Sequence, residues 1–129
     1  MPRKRSKHPT EVELQILNVL WRRGPSSVGQ IHDALKDERD TGRSTTLKMV
    51  QVMTDKGLLI KDASRHPQIY RPAMSQEQAQ TGLVEDLIQR AFGGAASKLV
   101  LRALQSRRAS RGELKQIEEL LERIEGRKR

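Results

Sequence analysis

Residues 43–57, RSTTLKMVQVMTDKG, decide the fold of this chain together with residues 58–72, LLIKDASRHPQIYRP, which follow them directly. In the first stretch, apolar residues recur at intervals of three and four, the spacing that places side chains on one face of a helix. The second stretch predicts two short strands on either side of a basic turn. A helix followed by a hairpin with a basic tip is the outline of a winged helix-turn-helix.

The predicted helix has two different faces. Its apolar stripe is narrow and suited to a core, and consists of Thr46, Met49, Val50 and Met53. Its opposite face is polar and consists of Ser44, Lys48, Gln51 and Asp55. Lysine and glutamine side chains hydrogen-bond to base edges in the major groove of DNA. The pattern therefore predicts a helix that the core holds from one side while its other side reads a duplex.

The predicted hairpin offers a second contact with nucleic acid. Leu59 and Ile60 begin its first strand, and residues 69–70 lie in its second strand. Arg65 and His66 at its tip would contact phosphate or the minor groove. An ordinary polar turn is the alternative interpretation, and the helix that precedes the hairpin favours contact.

Two capping-box patterns lie ahead of this helix and hairpin. Thr10 is followed three residues later by Glu13, and Ser27 by Gln30. In such a pair each side chain satisfies a backbone amide of the other residue, so each pattern predicts the start of a helix. The second of these helices is expected to end at about residue 38. Three helices and a hairpin then make a predicted DNA-binding domain over residues 10–74, which we call the front domain.

Residues 75–126 predict three further helices, two of them opened by capping boxes at Ser75 and Ser110. These helices carry more leucine than they can bury among themselves, and each buried leucine side chain contributes roughly 1.5–3 kcal/mol. A homodimer is therefore favoured over a monomer that folds the helices back on the front domain. The predicted dimer contacts are Leu83, Leu87, Phe92, Leu99, Val100, Leu104, Leu114, Ile117, Leu120 and Leu121.

The chain is strongly basic, with 25 Lys and Arg residues against 16 Asp and Glu residues and a net charge of +9. Such an excess attracts polyanions, although a ribosomal protein or an exposed tail has the same composition. The only aromatic residues are Trp21, Tyr70 and Phe92. Their scarcity favours duplex DNA over single strands, whose binders stack bases on several aromatic side chains.

The two ends of the chain are basic and aperiodic. Residues 1–9 predict a disordered arm that either reaches a DNA groove or stays solvated, and residues 127–129 predict a basic tail. The lack of cysteine excludes disulfides and thiolate metal sites. The sequence has neither a secretory signal nor an apolar run of the roughly 20 residues that span a bilayer. We therefore expect a soluble, cytoplasmic protein without membrane insertion.

Other functional classes fit the sequence less well. His8, His32 and His66 occupy no spacing that forms a metal site, each is interpreted as a surface residue, and no glycine-rich phosphate loop is present. The sequence thus predicts no catalytic residue, no metal and no cofactor. A winged-helix protein-interaction module would need aromatic anchors, which the polar helix face lacks. A non-specific nucleoid protein stays open, and its binding would be competed by any duplex.

Five segments carry a further signal through their order and spacing, namely TEVELQILNVLW, TTLKMVQVMTDKGLL, QIYRP, FGGAASKLVL and ELKQIEELL. Through them the chain resembles the penicillinase-repressor family, with its BlaI, MecI and CopY types, over about residues 10–124, which is nearly all of the chain outside its two tails. The resemblance implies an N-terminal winged helix-turn-helix, a C-terminal helical dimerisation domain and repression from a dyad operator. Genes under such control are often antibiotic-resistance genes beside a membrane sensor protease.

The resemblance also assigns roles by position, and it places the operator-reading helix on residues 44–53. It implies phosphate and base contacts for Ser44 and Thr45. Lys48 stands where many members have a groove-facing threonine. Leu47 stands where better-known members have arginine or glutamine, and Val52 where they often have arginine. The predicted DNA-binding residues are thus Arg43, Ser44, Thr45, Leu47, Lys48, Gln51, Arg65 and His66.

Two departures from the family pattern bear on release from DNA. In the beta-lactam repressors an Asn-Phe bond is cleaved shortly after a Leu-Val-Leu run, whereas residues 99–101 are followed here by Arg102 and Ala103. Copper-responsive members use C-terminal Cys-x-Cys pairs, which a chain without cysteine cannot form. Proteolysis, a ligand and capture by a partner all stay open as the releasing signal.

Overall fold

The computed structural model describes residues 8–36, 38, 40–106 and 108–126. Within them the predicted fold class is confirmed, since the chain is mainly helical with one small antiparallel hairpin. Most of the predicted basic arm, residues 1–7, and the predicted basic tail, residues 127–129, lie outside the described residues. The elements in chain order are α1 (Glu11–Arg23), α2 (Val28–Leu35), α3 (Arg43–Asp55), β1 (Leu59–Asp62), β2 (Ile69–Pro72), α4 (Gln76–Ala91), α5 (Ala96–Ser106) and α6 (Arg111–Gly126).

All four predicted capping boxes are confirmed. At the start of α1, Oγ1 of Thr10 accepts from the Glu13 amide at 3.2 Å, and Oε1 of Glu13 accepts from the Thr10 amide at 2.9 Å. The reciprocal pair recurs ahead of α2, α4 and α6. Each pair satisfies amides that have no partner within the helix, which is why these helices begin where the pattern places them.

The second helix is shorter than predicted, because α2 ends at Leu35 rather than near residue 38. Beyond it, the Lys36 amide donates to Asp33 at 3.5 Å and the Glu38 amide donates to Leu35 at 3.0 Å. These bonds span three residues instead of four, so the chain tightens into turns and leaves the helix.

The core of the front domain lies between the three N-terminal helices and the hairpin. Trp21 covers its edge, and the indole Nε1 donates to the carbonyl of Met74 at 3.1 Å. Pro9, which the prediction placed in the arm, is buried. The buried apolar side chains are Ile16, Leu17, Val19, Leu20, Ile31, Leu35, Val50, Met53, Leu58, Leu59 and Tyr70.

The hairpin is fixed to the turn between α1 and α2. Its strands pair from Leu59 with Pro72 to Asp62 with Ile69. Ser26 adds a bridge on the other side of β2, where it donates its amide to Tyr70 at 3.0 Å and accepts from the Tyr70 amide at 2.8 Å. The hairpin therefore keeps a set position relative to the N-terminal helices.

An ion pair joins the end of α3 to the start of α1. Nζ of Lys56 donates to Oε2 of Glu13 at 2.7 Å, and the Glu13 side chain is only 10% exposed. Burial alone raises the pKa of the Glu13 carboxyl. The hydrogen bonds from Lys56 and Thr10 and the charge of Lys56 outweigh burial, so that this pKa lies below its usual value.

We expect Glu13→Gln to lower the free energy of unfolding by about 1–3 kcal/mol near neutral pH, because Lys56 loses its partner. Since the folded-state pKa is the lower one, the carboxylate stabilises the fold fully above its ordinary pKa of 4.5. That stabilisation is lost as the pH falls through the folded value. Urea unfolding from about pH 7 to about pH 2.5 measures the difference between the two proteins.

The control for this prediction is Glu11→Gln, which removes an exposed carboxylate from the same turn of α1. It should leave the free energy of unfolding nearly unchanged, as surface substitutions usually do. A loss in Glu13→Gln that is equally large at acid and neutral pH would contradict the role given to the ion pair.

The chain divides into two compact units between Val84 and Glu85, within α4. In the second unit, none of the residues of α5 and α6, which the structure describes in full, is buried. The predicted domain boundaries stay predictions. In the described part of the chain, every helix is too short or too polar to cross a membrane.

Candidate nucleic-acid interface

Helix α3 separates a buried face from an exposed face, as its sequence pattern predicts. Thr46, Val50 and Met53 are buried in the core of the front domain. Its exposed face carries every helix residue that was predicted to contact DNA, namely Arg43, Ser44, Thr45, Leu47, Lys48 and Gln51. The polar side chains of this face are therefore available to an outside partner.

Two polar contacts hold α3 in place, one to α1 and one to α2. One is the ion pair between Lys56 and Glu13 beyond its C-terminal end. The other is a hydrogen bond of 3.0 Å between Nδ1 of His32 on α2 and Oγ1 of the buried Thr46. The interpretation of His32 as a surface residue is therefore wrong, because this imidazole is partly buried against α3.

The start of α3 and the start of α2 form one wall of a groove beside the hairpin. The guanidinium group of Arg43 lies where a side chain on Gly29 would stand, so glycine at that position admits the arginine. Arg43 thus brings positive charge next to the N-terminus of α2, whose backbone amides carry partial positive charge. The groove is lined by Ser27, Val28, Gly29, Arg43, Ser44, Leu47, Pro67, Gln68 and Tyr70.

The tip of the hairpin is a structured turn that exposes Arg65 and His66. Oδ1 of Asp62 accepts from the Ser64 hydroxyl at 2.6 Å and from the Ser64 amide at 3.1 Å. These two hydrogen bonds from Ser64 hold the pKa of the exposed Asp62 carboxyl below its usual value. The two basic residues therefore project from a turn whose shape Asp62 and Ser64 stabilise.

Two further polar residues, Lys61 and Gln68, belong to the same surface and were missed in the sequence. Both line a groove with Leu47 and Gln51, between α3 and the strands. Lys61 is exposed at the third position of β1, after the buried Leu59. The burial pattern of that strand is irregular, so alternation of polar and apolar residues gave no signal for Lys61.

A third groove runs along the other flank of α3, next to the first turn of α1. It is lined by the apolar side chains of Val12, Met49 and Val52 and by the polar side chains of Thr10, Glu13, Ser44, Thr45 and Lys48. Val52 and Leu47 thus stand on opposite flanks of the same helix, 44% and 40% exposed respectively.

The predicted dimer contacts remain largely uncovered in the single chain. Six of the ten predicted contacts are exposed, namely Leu87, Val100, Leu104, Leu114, Leu120 and Leu121. The other four, Leu83, Phe92, Leu99 and Ile117, are partly buried. Leu101 and Ile124 were not predicted as contacts and are exposed as well, by 58% and 53%.

Within the described residues, no group of three or more histidine, aspartate or glutamate side chains is placed to hold a metal ion. Beside the carboxylates of Asp55 and Asp62, the exposed side chains of α3 and the hairpin are mainly single cations, hydroxyls and amides. Such groups hydrogen-bond to phosphates and base edges.

Residues 9–123 match the family described as Penicillinase repressor, a span that includes all of the elements from α1 to α5 and most of α6. The chain belongs to the penicillinase repressor family. It is accordingly a DNA-binding transcriptional repressor with a winged helix, and not an enzyme. The family predicted from the sequence is thereby confirmed.

The chain is similar to two proteins from Mycobacterium tuberculosis, strains CDC 1551 / Oshkosh and ATCC 25618 / H37Rv, each called Transcriptional regulator BlaI. Both are 27% identical over 92 residues, which cover 70% of this chain and 67% of the relative. The solved structure of a MarR family protein from Bacillus stearothermophilus is 19% identical, with a TM-score of 0.49 over 92% of this chain and 74% of that one. That last similarity is too low to assign a fold or a function.

Proposed function

We propose that this repressor is a homodimer that binds a dyad operator in double-stranded DNA through α3 and the hairpin of each copy. The observation that carries the proposal is the exposed face of α3, whose opposite face is buried and linked to both α1 and α2. A helix held in this way inserts a fixed set of side chains into a major groove, as the recognition helix of a helix-turn-helix does.

The apolar side chains of the last two helices support the dimer. Leu114, Leu120, Leu121 and Ile124 all lie on α6 and are all exposed, by 43–53%. With the partly buried Ile117 between them, they recur at intervals of three and four, which places them along one side of the helix. A row of this kind is costly to leave in water, and a second copy of the chain offers a matching row.

Two copies also give the discrimination that one helix lacks. A single recognition helix contacts only a few base pairs, whereas a two-fold dimer reads two half-sites at the same time. We expect the half-sites to lie whole turns apart, at roughly 34 Å for each turn of the duplex. The operator should therefore be a dyad.

The hairpin supplies contacts that do not depend on sequence. We expect Arg65→Ala to weaken binding to operator and random duplexes alike, by about tenfold, because a phosphate contact carries no base information. The plot of log affinity against log salt should become less steep, by about one unit of slope for each copy. Arg22→Ala removes the same charge from a different groove of the front domain and serves as the control. A selective loss on the operator alone would contradict the phosphate role.

The proposal is tested by footprinting on the DNA upstream of this protein's own gene and its neighbours. The family resemblance implies resistance or sensor-protease genes as targets, which makes this DNA the first place to look. Protein and salt are titrated, and unlabelled random duplex is added as competitor. We expect a protected dyad that survives the competitor. Protection that spreads over all sequences and vanishes with competitor would support a non-specific nucleoid protein instead.

The need for two bound copies also indicates how the repressor is released from the operator. Because tight binding needs both copies, any event that separates them or covers α3 lowers the affinity. Leu99 to Leu101 lie on α5 ahead of Arg102 and Ala103, so cleavage at an Asn-Phe bond has no substrate at this place. We infer that a ligand, a partner protein or cleavage at a different bond provides the signal.

A further inference from the structure

One residue breaks the polar character of the row on α3 that faces outward. Ser44, Leu47, Lys48 and Gln51 follow one another at the spacing of a single helical face, and all four are exposed. Leu47 keeps 40% of its surface accessible. A lone exposed leucine is common on protein surfaces. This one stands among the side chains that the proposed function assigns to base reading.

The neighbours of Leu47 favour contact with a base rather than with another protein. It lines one groove together with Arg43 and Pro67, and a second groove together with Gln51 and Lys61. Arg43 lies beside the leucine in the first groove, and Gln51 and Lys61 lie beside it in the second, together with the carboxylate of Asp55. These neighbours fit a duplex, whose phosphates meet the cations and whose base edges meet the amide.

We propose that Leu47 contacts the C5 methyl group of a thymine in each half-site, an inference that rests on the proposed function. Thymine is the only one of the four bases that presents an apolar group in the major groove, and an aliphatic side chain is its natural partner. The contact removes both apolar surfaces from water without breaking a hydrogen bond. Leu47 is therefore a specificity-determining residue, which selects thymine over cytosine at one position.

The experiment removes that methyl group and nothing else. The full-length protein selects its preferred duplex from a random pool, and each thymine of the selected half-site is then replaced in turn by uracil. Binding is measured for the wild-type protein, for Leu47→Ala and for Ile60→Ala. Ile60 is the matched control, because it is an aliphatic residue of β1 with the same 40% exposure and lines neither groove that contains Leu47.

We expect one symmetric pair of thymines to be sensitive to the change. Loss of one methyl contact should weaken wild-type binding by about fourfold in one half-site, and by about fifteenfold when both half-sites are changed. Leu47→Ala should bind the thymine and uracil duplexes equally at that pair. Ile60→Ala should keep the wild-type difference there.

Other results overturn the inference and separate it from the proposed function. No sensitivity to uracil within the half-sites, the same sensitivity in Leu47→Ala, or its loss in Ile60→Ala alone would each remove the assigned role from Leu47. The operator and the dimer would stand in all three cases. If selection from the pool enriches no sequence, the proposed function itself fails, and the inference fails with it.

Discussion

Replacing Leu120 with aspartate is expected to make the protein a monomer at micromolar concentration and to weaken operator binding by at least about a hundredfold. Leu120 lies on α6 and is 48% exposed, among the other apolar side chains of that helix. In the proposed dimer these side chains face their counterparts in the second copy. A carboxylate buried there without a partner costs several kcal/mol, and each 1.4 kcal/mol is tenfold in affinity.

The control for this change is Gln116→Asp, which places the same charge at an exposed polar position of the same helix. It should stay dimeric. Sedimentation equilibrium gives the mass of each variant, and circular dichroism checks that α6 remains helical. An unchanged mass for Leu120→Asp would refute the dimer interface, and a fall in mass for both variants would show that charge alone drives the copies apart.

The combined replacement of Lys48 and Gln51 by alanine is expected to weaken operator binding by at least about a hundredfold and to relax base preference. Each base contact is worth about 1–3 kcal/mol of discrimination, and the dimer uses each contact in both half-sites. Both side chains are exposed on α3, and within the described part of the chain neither hydrogen-bonds to another protein group. Titration of operator and random duplexes measures the two affinities.

Random duplex should lose much less affinity than the operator in this double variant, since a non-specific complex uses Lys48 only as a charge. Lys98→Ala, which removes an exposed lysine from α5, controls for the change in net charge. The melting temperature should remain the same, because neither replaced side chain contributes to the core. Equal losses on operator and random duplexes would show that α3 does not read bases.

Local signals in the sequence predicted most of the fold. The capping pairs that begin at Thr10, Ser27, Ser75 and Ser110 act between residues three apart, so the sequence specifies them directly. The two faces of α3 likewise follow from the helical period. The helix end near residue 38 was placed too late, because turns spanning three residues replaced the last helical bonds.

These local patterns could not predict contacts between residues that are far apart in the sequence. Glu13 and Lys56 are 43 positions apart, and the capping role of Glu13 gave no sign of a second partner. The bond between His32 and Thr46 depends on how α2 crosses α3, which the spacing of histidines does not encode. The inclusion of Lys61 in the candidate interface depends in the same way on where the hairpin lies.

The leucine content of the last helices is the most informative case, because it concerns an interface that a single chain does not contain. The sequence indicated more apolar surface than these helices could cover. In the structure, no residue of α5 or α6 is buried within the described chain. The dimer itself stays a prediction, supported by the cost of leaving that surface in water.

The proposed two-fold dimer is tested by the number of chains bound to one operator, measured together with the affinity for half of that operator. Sedimentation of the complex on a duplex with the full dyad should give two chains. A duplex with only one half-site should bind at least about a hundredfold more weakly, because the second contact is lost. One chain on the full dyad, or equal affinity for the single half-site, would show that the repressor does not bind DNA as a dimer.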